Sequence, residues 1–99
     1  MSHIIWTRPA SADLERLYAF LREKDADAAR KAMGAIQTSL QVLLDNPRIG
    51  RNAAFPPDGK REWPIRFGSA GYVALYHLRG DEIIILRVKH MKEAGFLED

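Results

Sequence analysis

The chain has no cysteine in its 99 residues, which excludes disulfide staples and thiolate metal centres and leaves packing alone to hold the fold. Long apolar runs are missing too. The N-terminal run Ile4-Ile5-Trp6 is too short for a signal-peptide core and is cut off by Arg8-Pro9, and nothing downstream approaches membrane-spanning length. There is no phosphate-cradling glycine loop, no nucleophile elbow and no histidine cluster at metal-ligating spacing. The expectation is a cytoplasmic protein without cofactor, metal or membrane partner, folded as one domain over residues 1–99 around a single core.

Acidic residues are scarce in the second half. The first 46 residues balance: Arg8, Arg16, Arg22, Lys24, Arg30 and Lys31 stand against Asp13, Glu15, Glu23, Asp25, Asp27 and Asp45. From Arg48 to Lys92, nine cations (Arg48, Arg51, Lys60, Arg61, Arg66, Arg79, Arg87, Lys89, Lys92) face four anions (Asp58, Glu62, Asp81, Glu82), although the net formal charge is only +2. That half should attract acidic partners or phosphates.

A β-prone opening, His3 to Thr7, leads to Pro9 at a position that a first helical turn tolerates. Leu14, Leu17, Tyr18 and Leu21 then follow at helical spacing. This helix should stop near Lys24, because Asp25 and Asp27 favour a new helix start. The second helix runs to about Leu44 with an inner stripe of Ala29, Ala32 or Met33, Ile36, Leu40 and Leu43, and Asn46-Pro47 ends it. So short a connection makes the two helices antiparallel neighbours. Arg48 to Gly59 reads as a surface loop. Arg61 to Phe67 reads as a strand whose Pro64 argues for an edge position. Gly68 to Gly71 reads as a turn. Tyr72 to Leu78 and Glu82 to His90 form a hairpin through Arg79-Gly80-Asp81. The predicted class is α+β, order β-αα-βββ: a helical hairpin packed on one face of a small antiparallel sheet that the first strand rejoins.

On the last strand, alternation puts Arg87 and Lys89 on one face with Ile83 and Ile85, and Val88 and His90 on the other with Ile84 and Leu86. Arg66, Arg87, Lys89, His90 and Lys92 then form a candidate anion-binding cluster at the strand end. Ordinary solvated side chains are the competing reading. His90 is the candidate general acid or base, whereas His77 reads as a half-buried structural residue. Trp6, Trp63, Tyr72 and Tyr76 read as packing residues rather than nucleobase platforms.

Several segments in this order and spacing define a pattern: Ala12-Asp13-Leu14, Leu43 through Asn46-Pro47 with Gly50-Arg51, Arg61-Glu62, Tyr72-Val73-Ala74-Leu75-Tyr76, and Ile85-Leu86-Arg87-Val88-Lys89-His90. In it the chain resembles the RelE/ParE superfamily of toxins from bacterial toxin-antitoxin pairs. The resemblance implies a compact toxin neutralised by a cognate, ParD-like antitoxin whose C-terminal segment wraps over helices and sheet. Members similar to RelE cut messenger RNA on the ribosome with several basic residues and a terminal tyrosine or histidine, and typically carry arginine after the Gly-Tyr pair. This chain has Val73 there, Pro64 where a strand lysine is expected, Met91 in place of a second arginine, and Phe96 or Leu97 where the tyrosine falls; Arg66 alone fits. Members similar to ParE carry an aliphatic residue at Val73, keep Arg87 and His90, and poison DNA gyrase as binders.

The resemblance therefore implies a plasmid-stabilisation toxin of the ParE type. It would engage DNA gyrase through Arg61, Arg66, Arg87, Lys89, His90 and Lys92 without a catalytic residue. The alternatives are a ribosome-dependent endoribonuclease acting on mRNA through Arg66, Arg87 and His90, and an inactive module that only binds antitoxin.

Overall fold

The computed structural model describes residues 2–52 and 59–93. Strand β1 (His3–Trp6) leads through Thr7 into α1 (Arg8–Lys24). The Thr7 hydroxyl accepts from the Ala10 amide at 3.3 Å and Pro9 lies in the first turn, where its missing N–H costs nothing. Asp25 ends one helix and starts the next. Its amide donates to Leu21 O at 2.8 Å, and its carboxylate accepts from the amides of Asp27 and Ala28 at 3.0 and 3.1 Å, opening α2 (Ala26–Asp45). One residue thus supplies both caps, which forces the tight antiparallel hairpin.

Strands β2 (Arg51–Asn52), β3 (Lys60–Phe67), β4 (Ala70–Arg79) and β5 (Glu82–His90) complete a five-stranded sheet in the order β1-β5-β4-β3-β2. The order β-αα-βββ and the helices on one sheet face are as expected. Two details were not legible: β1 joins β5 in parallel, making the sheet mixed, and part of the expected loop pairs with β3 as β2. The rest of that loop, residues 53–58, lies outside the described residues. Because β2 reaches only Arg61 and Glu62, Pro64 sits beyond it, exposed, where a missing amide proton is tolerated.

The core lies between the helical hairpin and one sheet face. The buried stripe of α2 is Ala29, Ala32, Ile36, Leu40 and Leu43, and all of it but Ala29 joins one core with Ile65, Tyr72, Ala74, Tyr76, Ile83, Ile85 and Val88 from the sheet. Trp6 and Trp63 pack against this core, and Trp63 Nε1 donates to Ser39 O at 3.0 Å, in keeping with a packing role. Gly71 is a strand residue rather than part of a four-residue turn. Its φ is +137°, and a Cβ there would stand 2.1 Å from Ile65 O, so only glycine lets β3 and β4 approach so closely.

Strict alternation along β5 fails. The register steps from Tyr76↔Ile85 to Leu75↔Arg87, leaving Leu86 as an extra residue. Ile83, Ile85 and Val88 consequently all enter the same core, which corrects the expectation that Val88 opposes the face of Ile83 and Ile85.

Candidate functional site

The bulge sits where β1 ends. β1 pairs with β5 only as far as Ile85, so the outer edge of β5 loses its neighbour there. Two residues from the start of α1 take over. Thr7 Oγ1 donates to Ile85 O at 2.8 Å and to Leu86 O at 3.2 Å. Asp13 Oδ2 accepts from the Val88 amide at 2.9 Å and from Arg87 Nε at 2.8 Å, and its Oδ1 accepts from Arg87 Nη2 at 3.2 Å. Asp13 is 5% exposed. Its burial is tolerable because a bidentate guanidinium and an amide meet the charge. Arg87, a sequence candidate for target contact or catalysis, is therefore a partner of α1.

The remaining candidates do not form one cluster. His90 is opposite Tyr72 in β4, and the two rings meet edge to face with centroids 5.5 Å apart, on the helix-bearing side. Arg66 pairs with Gly71, and Lys89 with Val73, in the alternate rows that face away from the helices. The physical reason is the sheet's period of two: adjacent positions such as Lys89 and His90 lie on opposite sides. Arg61 stands five residues before Arg66, roughly 17 Å along the strand. Its Nη1 donates to the carbonyls of Arg48 and Gly50. Lys92 is exposed in the turn after β5.

That turn is tied down by Glu93. Its carboxylate accepts from Arg16 Nη1 at 2.6 Å and from the His90 amide at 3.2 Å, while its carbonyl accepts from Lys89 Nζ at 3.1 Å. Burial pushes the Glu93 carboxyl up, but the Arg16 bond and charge outweigh it and hold the group below the usual carboxylate range. The same bond raises Arg16. His90 Nδ1 accepts from the Lys92 amide at 3.1 Å, so that lone pair is occupied and the neutral ring carries its proton on Nε2. Met91 and Lys92 form a turn that leads to Glu93, and residues 94–99 lie outside the described residues.

Two surfaces result. On the helix-free face Arg66 on β3 and Lys89 on β5 flank Val73 and Leu75, which are themselves buried at 7% and 8% exposed. The helix-bearing side has a groove of about 680 Å³ between α1 and the β3–β4 hairpin, floored by Leu17, Phe20, Phe67 and Tyr72 and rimmed by Arg16 and Lys92. Phe20 is 62% exposed, Phe67 stacks on Tyr72 at 6.3 Å, and burial raises the Tyr72 hydroxyl. Among the described residues, no group of three histidine, aspartate or glutamate side chains is placed to hold a metal ion, and no helix is long and apolar enough to cross a membrane.

Residues 4–95 match the family described as ParE toxin of type II toxin-antitoxin system, parDE. The chain belongs to the ParE toxin family. Within the wider ParE/RelE superfamily it is similar to toxin ParE3 of Caulobacter vibrioides, 29% identical over 89 residues that cover 89% of this chain and 85% of the relative. It is equally similar to toxin RelE1 of the same organism, 32% identical over 81 residues, covering 82% and 84%. The toxin fold superposes on the chromosomal ParDE system of P. aeruginosa with a TM-score of 0.77 at 28% identity, covering 93% of this chain and 98% of the other. The intact E. coli RelBE complex, at TM-score 0.61 and 17% identity over 94% and 100%, shares the fold. In this ParE-family chain, sequence reading missed Asp13 as an organising residue, although its place on the inner stripe with Ala10, Leu14 and Leu17 was a legible signal: a carboxylate there needs a buried partner.

Proposed function

We propose that this ParE-family toxin acts in the cytoplasm by binding DNA gyrase and halting replication, as a stabilisation module held in check by a ParD-like antitoxin. The observation that carries this reading is the dispersal of the would-be catalytic set. Cleavage of RNA at a 2′-hydroxyl needs a base, a phosphate-holding cation and an acid that reach a single scissile phosphate together. Here Arg87 is bonded to Asp13, the Nδ1 lone pair of His90 is taken by Lys92, and Arg66 lies on the opposite side of the sheet from His90. The helix-free face presents the basic side chains of Arg66 and Lys89 over a buried Val73, which suits an acidic protein surface. Arg66 and Lys89 are the target-binding residues of this reading, with Lys92 at the margin. The groove beside Phe20 and Phe67 suits an apolar antitoxin segment with an acidic residue toward Lys92, since Arg16 on the same rim is already paired with Glu93.

The similarity to relatives named RelE1 and RelE3, at 32% and 30% identity, keeps a second reading in view: a ribosome-dependent endoribonuclease centred on Arg66. Pulse labelling in the first minutes after inducing the chain alone in a bacterial host separates the two. A first fall in thymidine incorporation supports gyrase. A first fall in methionine incorporation overturns it in favour of the ribosome, and no fall in either points to an inactive antitoxin-binding module.

A further inference from the structure

The end of the sheet remote from His90 holds a second cleft of about 660 Å³, which neither the core nor the proposed target surface uses. Its walls include Arg48 in the loop after α2, Gly59 and Arg61 at the start of β3, His77 near the far end of β4 and Asp81 in the β4–β5 turn.

Cations at this end differ in how they are neutralised. Arg51 pairs with Glu62 at 3.1 Å and Arg79 with Glu82 at 2.8 Å. Arg48 and Arg61, the two arginines that line the cleft, have no carboxylate partner among the described residues. Arg61 is half-buried, so its charge is partly desolvated without an anion, an arrangement that costs free energy until one arrives. Its orientation is already set. Nη1 donates to Arg48 O at 3.0 Å and to Gly50 O at 2.8 Å, which fixes the guanidinium plane and leaves the Nε and Nη2 protons for a ligand. The half-buried His77 ring lies beside Gly59, where a Cβ would stand 3.6 Å from its Cε1. Asp81, the carboxylate on the opposite wall, is already engaged in an interaction of its own.

We propose that this cleft binds a phosphate group, held by Arg61 and Arg48 with the His77 imidazole as a third donor. Donors arriving from three chain segments suit the several oxygens of a tetrahedral oxyanion better than the two coplanar oxygens of a carboxylate. The phosphate is either that of a free nucleotide or one in a DNA backbone. The assignment is independent of which target the toxin attacks.

The test is a titration of the purified full chain with inorganic phosphate, and separately with acetate, AMP and a short DNA duplex, followed by NMR through the Arg61 side-chain Nε–H signal and the backbone amides of Arg48, Gly59 and His77. Saturable shifts with phosphate, about tenfold weaker binding in Arg48→Ala and in His77→Gln, and no change in Arg22→Ala are expected. Arg61 itself is left intact because it anchors the loop. Saturation by AMP but not by the duplex assigns a nucleotide site, and saturation by the duplex at the same residues assigns a backbone contact. Shifts that do not saturate, that survive both substitutions, or that acetate reproduces at equal concentration overturn the proposal.

Discussion

Asp13 and Arg87, 74 residues apart in the chain, are joined by two hydrogen bonds across the edge that β5 exposes beyond β1. The same carboxylate receives the Val88 amide, so one side chain satisfies both the bulged backbone and the cation beside it. Removing it in Asp13→Ala takes an acceptor from the Val88 amide and from the guanidinium. The Arg87 side chain is 36% exposed, which lets water recover part of the loss. We expect destabilisation of about 2–3 kcal/mol, read by urea denaturation. Arg87→Ala should cost a comparable amount. If instead it abolishes toxicity with no change in stability, Arg87 has a direct role at the target.

A second relationship holds the loop after α2. The Tyr76 hydroxyl donates to Pro47 O at 2.8 Å and accepts from the Gly50 amide at 2.9 Å, inside a ring of neighbours that leaves no room for a side chain at Gly50. A Cβ there would stand 2.4 Å from Tyr76 Oη and 2.9 Å from Glu62 O. Gly50→Ala should therefore cost about 1–3 kcal/mol, and Tyr76→Phe about 1–3 kcal/mol through the orphaned amide. The double variant should cost less than the sum, because removing the hydroxyl relieves part of the clash. Thermal unfolding of all four proteins measures that coupling.

The turn after β5 should loosen in acid. The folded Glu93 carboxyl lies below its ordinary value, so the Arg16–Glu93 link contributes fully above the unfolded pKa, about 4.3. It is lost as pH falls through the lower folded value. Relative to the intrinsic exchange rate at each pH, protection of the Met91–Glu93 amides should fall in that window while the core amides stay protected. Glu93→Gln should show the lower protection already at neutral pH and no further change in it across the window.

Phe20 is exposed on α1 at the edge of the apolar groove, so Phe20→Glu should leave the toxin's Tm nearly unchanged. If the antitoxin seats there, the same substitution should weaken neutralisation by about tenfold or more, the loss typical of a buried aromatic anchor. Isothermal titration of the toxin variant with its cognate antitoxin reads this directly. Unchanged affinity would place the antitoxin elsewhere.

Most of the fold was legible because its signals are local. The stripe from Ala29 to Leu43 is a three- and four-residue spacing, the Asp25 double cap is a residue type at a boundary, and Pro64 beyond the reach of β2 follows from one missing proton. The site was less legible. Its four cations and imidazole look like one cluster when read along the chain, yet the pleat sends Arg66 and Lys89 to one side and His90 to the other, and α1 captures Arg87.

The amino-acid order by itself determined the two helices, their antiparallel pairing, the run of strands that follows and the family pattern, since each depends on residues a few positions apart. Tertiary structure decided where β5 bulges, because the extra residue Leu86 is stable only where β1 stops and Thr7 and Asp13 supply the missing hydrogen bonds. Those partners lie 74 to 79 positions away. No periodicity in a strand of nine residues can encode an acceptor that arrives from a different helix.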